Sequence, residues 1–203
     1  MRFTNLLREE DGWQITSSKT EFANDHLAVA TASVKSPARS EPRPWTIVHR
    51  KAAVVIAPMT RDGKFLLIKE ERVPILATIW SMPAGQIDDQ SEPDEKEIQA
   101  VALRELHEET GYDLAAGGEM IPLGHFFTSP GLTDEHCYLF LARPVAPAKE
   151  HKREEGEGIL EVRAFSAEEL STMIARNEIR DANTLSICAR MAGRGLFSFA
   201  AQR

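Results

Sequence analysis

The sequence contains few cysteines and no long apolar segment. Its two cysteines, Cys137 and Cys188, lack the spacing of a metal-binding pair. So small a number in a chain of 203 residues indicates no disulfide framework. No apolar run approaches the roughly 20 residues that cross a bilayer, and the first residues lack the apolar core of a signal peptide. We therefore expect no membrane partner and a cytoplasmic location.

Positive charge is also scarce. Lysine and arginine total 24 against 31 aspartates and glutamates, which gives a net charge of −7. This balance disfavours a nucleic-acid partner, because such a partner requires many phosphates to be neutralised over a large surface. A small phosphorylated ligand stays compatible with it, since a few local cations or a metal suffice. The 42% apolar and 27% charged residues are ordinary for a globular chain.

The first part of the chain has the pattern of a small β unit. Residues 26–34, HLAVATASV, alternate as a strand does, and residues 45–50, WTIVHR, are a second strand candidate. Between them, residues 36–44 contain three prolines and predict a polar loop. We therefore predict a small β domain over residues 1–48.

The remaining residues, 49–203, predict a larger α/β domain. Residues 51–59, KAAVVIAPM, form an almost continuous apolar run that suits a strand covered on both faces. The Asp-Gly pair within residues 60–64 then predicts a hairpin turn, and the glycine-rich residues 111–120 predict a connector. Further strands and two or three helices together predict a mixed sheet sandwiched between helices.

The clearest helix covers residues 91–110. Ser91 is the predicted N-cap, with Asp94 at the capping-box position, and Gly111 is a natural terminator. The predicted buried stripe recurs every four residues and comprises Ile98, Ala102 and Leu106.

Three glutamates lie near the C-terminal end of this helix, in the stretch RELHEETG. Glu105, Glu108 and Glu109 project from one side about a turn apart, at the end where the helix dipole disfavours negative charge. One interpretation is a solvated acidic face relieved by an ion pair between Arg104 and Glu108. The other is a site for a hard divalent cation, Mg²⁺ or Mn²⁺, which would favour all three carboxylates and would share its remaining positions with substrate phosphates.

Gly85 followed by RELHEETGY at residues 104–112 resembles the signature box of the Nudix hydrolases. The second half of the box matches at every fixed position. The spacing from Gly85 to Arg104 is longer than the family's usual spacing by about five residues, and Lys96 stands where the family has an isolated glutamate.

The resemblance implies an α/β Nudix fold, an α/β/α sandwich with a mixed β-sheet, preceded by the small N-terminal β domain. In the family, the glutamates that match Glu105 and Glu109 bind divalent metal ions and the one that matches Glu108 assists. The arginine that matches Arg104 orients a glutamate through an ion pair.

Within the family, the chain is most similar to the ADP-ribose pyrophosphatase branch. Pro83-Ala84-Gly85, Pro130 and the stretch NEIRDANTL at residues 177–185 carry this similarity. It implies a homodimer that hydrolyses a nucleotide sugar, ADP-ribose first, to AMP and ribose 5-phosphate, with Ala84 and Gly85 beside the substrate.

The same similarity implies roles for residues outside the box. A catalytic or metal-binding glutamate on a late loop matches Glu157, with Glu155 as the second choice; the alternative for both is a solvated charged loop. Arg72 matches a phosphate contact, or else forms a surface ion pair. Trp45 matches an aromatic that stacks on adenine, or else is a core tryptophan, and Glu135 lies in the expected substrate loop.

Two alternatives remain open from the sequence. The substrate could be another nucleoside diphosphate derivative, such as GDP-mannose, FAD or a dinucleotide. The chain could also be a non-catalytic Nudix-like module that senses ADP-ribose, although such modules commonly lose glutamates of the box and this chain keeps Glu105, Glu108 and Glu109.

Overall fold

In the computed structural model of the chain, residues 11–87, 94–151 and 158–199 are described. The chain forms two compact units. One comprises Met1–Lys51 together with Phe127–His136, and the other comprises Ala52–Phe126 and Cys137–Arg203. None of the described helices is both long and apolar enough to span a bilayer.

The first unit contains a three-stranded antiparallel sheet in the order β1-β2-β3. The strands are β1 (Gln14–Ala23), β2 (Leu27–Ser36) and β3 (Arg39–Arg50). The predicted loop at residues 36–44 is therefore wrong for most of its length. Since β3 lies at the edge of this sheet, Pro42 and Pro44 can turn their missing N–H groups away from β2 without losing a ladder hydrogen bond.

Residues 127–136 are fastened to the C-terminal end of β3. Val48 and Thr133 form a parallel bridge, and the Asp134 carboxylate contacts His49 Nδ1 at 2.6 Å and accepts from the Arg50 amide at 3.0 Å. This segment is therefore part of the same compact unit as the N-terminal sheet, although it lies far along the chain.

The second unit contains the larger sheet. Its strands are β4 (Ala53–Thr60), β5 (Phe65–Arg72), β6 (Ala77–Ser81), β7 (Ala84–Gln86), β8 (Tyr112–Phe127), β9 (His136–Pro147) and β10 (Ile159–Phe165), the facing ends of β8 and β9 belonging to the first unit. Over the described residues the order is β10-β5-β4-β9-β8, with β6 on β5 and β7 on β4. Because β4 runs parallel to β9 and antiparallel to β5, the sheet is mixed, as predicted.

Helices cover both faces of this sheet. The helices are α1 (Glu95–Thr110), α2 (Ala167–Ala175) and α3 (Ala182–Gly193). Along β4, Val55 and Ala57 join a core that includes residues of α2 and α3, whereas Val54 and Ile56 join a core formed with α1. Alternate residues of β4 therefore pack against helices on opposite faces of the sheet. This arrangement confirms the predicted α/β/α sandwich.

Two local predictions are corrected. The N-cap of α1 is Asp94, whose side chain accepts from Glu97 N, and the capping-box partner is Glu97; the box thus lies one turn later than Ser91 suggested. The glycine-rich connector is the beginning of β8. Gly118 permits this because a Cβ there would lie 2.7 Å from the Pro144 carbonyl oxygen, so that the strands approach closely.

The helix terminator was predicted correctly. Gly111 ends α1 in the left-handed conformation with φ 72°, and its amide donates to the His107 carbonyl. Since left-handed φ is costly for residues with a Cβ, glycine at this position fixes where the acidic end of α1 stops.

Candidate active site

The acidic side chains of α1 differ in their exposure. Glu105 and Glu109 are buried, with 8% and 9% of their surfaces exposed, whereas the Glu108 side chain is 31% exposed. An ordinary solvated acidic face would leave all of them in water. The interpretation as a purely solvated face is therefore wrong for Glu105 and Glu109.

Glu109 is held by the short strand that precedes α1. Its Oε2 accepts a hydrogen bond from the Ala84 amide at 2.8 Å. Because β7 pairs with β4, with Ala84 opposite Val55, the donor is fixed by the central sheet. The backbone of Ala84 thus positions the carboxylate of Glu109.

Glu105 lies against the neighbouring residue of the same strand. A Cβ added to Gly85 would overlap the Glu105 carboxylate, so the close approach of helix and strand requires glycine. The glycine that the box places before the helix is therefore required here because a larger residue would clash with the Glu105 carboxylate.

Arg104 connects two of the glutamates. Its Nη2 lies 2.8 Å from Glu105 Oε1 and its Nη1 lies 2.7 Å from Glu108 Oε2. The predicted Arg104–Glu108 pair is therefore present, and the same guanidinium also orients the buried Glu105. A planar fork that holds two carboxylates restricts the rotamers of both.

The chemistry of these residues fits a divalent cation. Two carboxylates that are largely withdrawn from water require compensating positive charge or donors; Arg104 and the Ala84 amide provide some, and a hard cation suits the same oxygens. Among the described residues, no group of three or more histidine, cysteine, aspartate or glutamate side chains is gathered closely enough to hold a metal ion. The further predicted ligand Glu157, and Glu155, lie outside the described residues.

Arg72 ends β5 and pairs with a residue that the sequence interpretation missed. Its Nη2 lies 2.6 Å from Oε1 of Glu70, and the Arg72 side chain is 37% exposed. Glu70 is only 7% exposed and also accepts a hydrogen bond from the Ser81 hydroxyl. Burial raises the pKa of the Glu70 carboxyl, and Ser81 and Arg72 oppose that shift.

A signal for Glu70 does exist in the sequence. In FLLIKEER, Glu70 follows Leu66 and Ile68 at intervals of two residues, so it lies on their face of the strand, and both of those residues are buried. A glutamate on the buried face of a strand, two residues before an arginine on the same face, predicts an ion pair that points inward.

The predicted adenine and substrate-loop residues both belong to the first unit. Trp45 on β3 is 47% exposed, so it is not a core tryptophan. Glu135 contacts Arg50 at 3.2 Å and accepts from the Thr128 hydroxyl at 2.8 Å, which orders the carboxylate within its own unit. Their contact with a ligand stays a prediction.

Lys96 replaces the isolated glutamate of the sequence box. It is exposed in the first turn of α1, where its amide donates to Asp94 Oδ1 at 2.8 Å. The adjacent Glu95 and Glu97 are exposed as well, and Glu97 completes the capping box. The start of α1 therefore has a structural task that does not depend on the missing glutamate.

Comparisons with known proteins agree with this geometry. A family model described as "NUDIX domain" matches residues 48–186. The chain is 33% identical over 138 residues to an ADP-ribose pyrophosphatase of Bacillus subtilis (strain 168), covering 68% of this chain and 70% of the relative. It is 24% identical over 183 residues to an ADP-ribose pyrophosphatase of Mycobacterium tuberculosis, covering 90% and 84%. A crystal structure described as an ADP compounds hydrolase has a TM-score of 0.72 at 17% identity, covering 94% of this chain and all of that one, which supports the fold.

Proposed function

The chain belongs to the Nudix hydrolase family, in the branch of the ADP-ribose pyrophosphatases, and on that premise we propose that it hydrolyses the diphosphate bond of a nucleoside-diphosphate sugar. ADP-ribose is the proposed first substrate, with AMP and ribose 5-phosphate as products. Relatives named for ADP-ribose cleavage support this choice.

One observation carries the proposal. Glu105 and Glu109 are buried side by side on α1, each fitted to the backbone of the strand that contains Ala84 and Gly85. A fold gains little stability from two acids at a helix C-terminus, so their placement is best explained by the ligand that they bind.

We propose Mg²⁺, or Mn²⁺, as the cofactor, with Glu105 and Glu109 as principal ligands and Glu108 and Glu157 as further ones. When bound, such a cation neutralises charge on diphosphate oxygens and lowers the pKa of a coordinated water. Arg104 keeps Glu105 and Glu108 oriented, and the Ala84 amide does the same for Glu109. Preorganisation of this kind reduces the reorganisation that substrate binding requires.

The remaining proposed roles follow the family resemblance. Arg72 contacts the diphosphate, Ala84 and Gly85 border the substrate, Trp45 stacks on the adenine base and Glu135 contributes from the substrate loop. Glu157, with Glu155 as the second choice, assists the attacking water. The boundary between a domain at 1–48 and one at 49–203 is part of the same proposal.

A cytoplasmic location is also proposed. Cys137 and Cys188 are both buried as reduced thiols, which suits a reducing compartment.

Product analysis tests the proposed function. The purified chain is incubated with ADP-ribose and Mg²⁺ in water labelled with heavy oxygen, and the products are separated and weighed by mass spectrometry. We expect AMP and ribose 5-phosphate, one of them labelled, and no turnover after chelation of the metal. GDP-mannose, FAD and a dinucleotide are run in parallel; faster cleavage of one of these would replace ADP-ribose, and no cleavage of any would contradict the proposed function.

A further inference from the structure

Glu70 and Arg72 face the same side of the large sheet as the acidic site. Alternation along β5 places both residues on the side of Leu66, which packs into the core formed with α1. Gly85, which contacts Glu105 of α1, lies opposite Val54 of that same core. The Glu70–Arg72 pair and the acidic residues of α1 therefore lie in the same layer of the fold.

In the Glu70–Arg72 pair, the carboxylate is buried and the guanidinium lies near the surface. The Glu70 side chain is 9% exposed and the Arg72 side chain is 37% exposed. The carboxylate is thus fixed in the interior, while the guanidinium reaches the surface that a ligand can approach. Arginine has donors on three nitrogens, so a carboxylate on one side leaves chemistry suited to a phosphate on another.

Ser81 makes the interior end of this pair rigid. It is fully buried on β6, opposite Ile68, and its hydroxyl donates to the same Oε1 that Arg72 contacts. β6 ends at Ser81, and after two intervening residues the chain enters β7, which contains Ala84 and Gly85. The carboxylate of Glu70 is therefore fixed relative to the backbone that also holds Glu109.

From this geometry we propose that Glu70 is a positioning residue, whose buried carboxylate holds Arg72 for contact with the diphosphate of the substrate. The inference rests on the proposed function, in which Arg72 contacts the diphosphate. A free arginine side chain loses considerable rotamer entropy when a ligand orders it. Glu70 removes that cost before the substrate arrives, and it acts on binding more than on the chemical step.

Kinetics of Glu70→Gln test the proposal, with Glu71→Gln as the matched control because Glu71 is the exposed neighbour on the same strand. With ADP-ribose and saturating Mg²⁺, we expect Glu70→Gln to raise KM about tenfold while kcat changes by less than about threefold, the signature of lost ground-state binding. Glu71→Gln should match the wild type. The double variant Glu70→Gln/Arg72→Ala should be no worse than Arg72→Ala alone, because Glu70 acts only through Arg72.

A pH series separates positioning from a merely structural role. The groups that act on the Glu70 carboxyl are Arg72 on its own strand, the Ser81 hydroxyl on β6 and, through its negative charge, Asp181 before α3. As pH falls, Glu70 becomes protonated and releases Arg72, so KM of the wild type should rise in acid. This rise should be smaller in Glu70→Gln, whose KM is already high at neutral pH.

Calorimetric titration with ADP and Mg²⁺ reports diphosphate binding without turnover. We expect affinities in the order wild type, Glu70→Gln, Arg72→Ala. If the wild type does not cleave ADP-ribose, the proposed function fails while the ADP titration still decides the role of Glu70. An unchanged KM and ADP affinity in Glu70→Gln, an unchanged Arg72→Ala, or additive losses in the double variant would each overturn the proposal.

Ser81→Ala replaces Glu70→Gln if circular dichroism shows that the latter does not fold. It keeps the charge of Glu70 and removes the hydroxyl that holds the carboxylate. We expect ADP to bind about threefold more weakly, in line with a lost hydrogen bond that acts indirectly. An unchanged ADP affinity would overturn the proposal.

Discussion

At the scale of single residues, the acidic end of α1 depends on how closely Glu105 approaches Gly85. The overlap that a Cβ at Gly85 would produce means that any side chain there must displace the carboxylate. A shift of about 1 Å in a catalytic group can cost about a hundredfold in rate. Gly85 therefore sets the geometry of a residue that is distant in sequence.

We expect Gly85→Ala to lower kcat about a hundredfold by displacing Glu105. Gly193→Ala is the matched control, because a Cβ at Gly193 meets nothing within 4 Å. Steady-state assays with ADP-ribose measure both variants. Equal activity of the two variants would show that Glu105 tolerates the displacement.

Glu109→Gln tests the second buried acid. Glutamine keeps the size of the side chain and an oxygen for the Ala84 amide, so the fold should be retained, while the charge available to a cation is lost. We expect kcat to fall about a hundredfold or more, equivalent to about 3 kcal/mol of barrier. The assay is accompanied by a thermal melt, and Glu95→Gln, at an exposed position of the same helix, is the control. Near-normal turnover in Glu109→Gln would remove Glu109 from the mechanism.

Glu70 also predicts a pH dependence of stability. Burial raises its pKa above the ordinary value of 4.5, so the folded state favours the protonated form. The stabilisation from this group is present below the unfolded pKa and is lost as pH rises through the folded pKa. We expect Glu70→Gln to gain in free energy of unfolding, relative to wild type, as the pH rises above the ordinary carboxyl pKa of 4.5, measured by urea denaturation. A difference that stays constant as the pH rises would contradict the assignment.

At the scale of elements, α1 shows what the sequence can and cannot predict. The stripe of Ile98, Ala102 and Leu106 is buried as predicted, because apolar periodicity follows directly from helix geometry. The N-cap was misplaced by one turn, because Ser91 and Asp94 are both good capping residues and local sequence does not rank them. The packing of α1 on Gly85 was not predictable either, since it depends on how strand and helix meet in space.

The strands show a similar limit. The buried alternation of β4 and the second half of β3 were readable from the sequence. The first half of β3 and the start of β8 were mistaken for loops because of their prolines and glycines. Local propensity was overridden there by pairing with neighbouring strands. The spacing along β5 could have placed Glu70 beside Arg72, but the contact of Ser81 with Glu70 could not be predicted, because it requires the register of β5 and β6.

The capping box of α1 gives an element-scale prediction. The Asp94 side chain accepts from the Lys96 and Glu97 amides, which would otherwise lack helical partners. Asp94→Ala should lower the free energy of unfolding by about 1 kcal/mol, whereas Asp94→Asn should leave it nearly unchanged. Urea denaturation of both variants checks this. Equal losses in both variants would mean that the charge of Asp94 matters more than the hydrogen bonds.

At the scale of the whole molecule, the N-terminal sheet presents apolar side chains to solvent. Trp13, just before β1, and Ile15, Phe22 and Trp45 within the strands are each about half exposed or more, an arrangement that is unusual for a surface without a partner. We therefore predict that this surface is covered in the homodimer that the family resemblance implies.

We expect light scattering at micromolar concentration to give twice the mass of one chain. Replacing Trp13 and Ile15 by serine removes exposed apolar surface without touching the acidic site, and it should shift the equilibrium toward the monomer. A monomeric mass for the wild type would reject the dimer, and a dimer unaffected by the replacements would place its interface elsewhere.

The attachment of residues 127–136 to β3 has a consequence for how the gene can change. Deleting the chain before Ala52 would remove His49 and Arg50, and the acidic turn would lose the side chains that now contact Asp134 and Glu135. An amino-terminal sheet exchanged between relatives would have to arrive together with a compatible turn encoded some eighty codons downstream. Recombination near residue 51 would therefore separate contacts that stabilise both segments. We expect the N-terminal sheet and residues 127–136 to be inherited together.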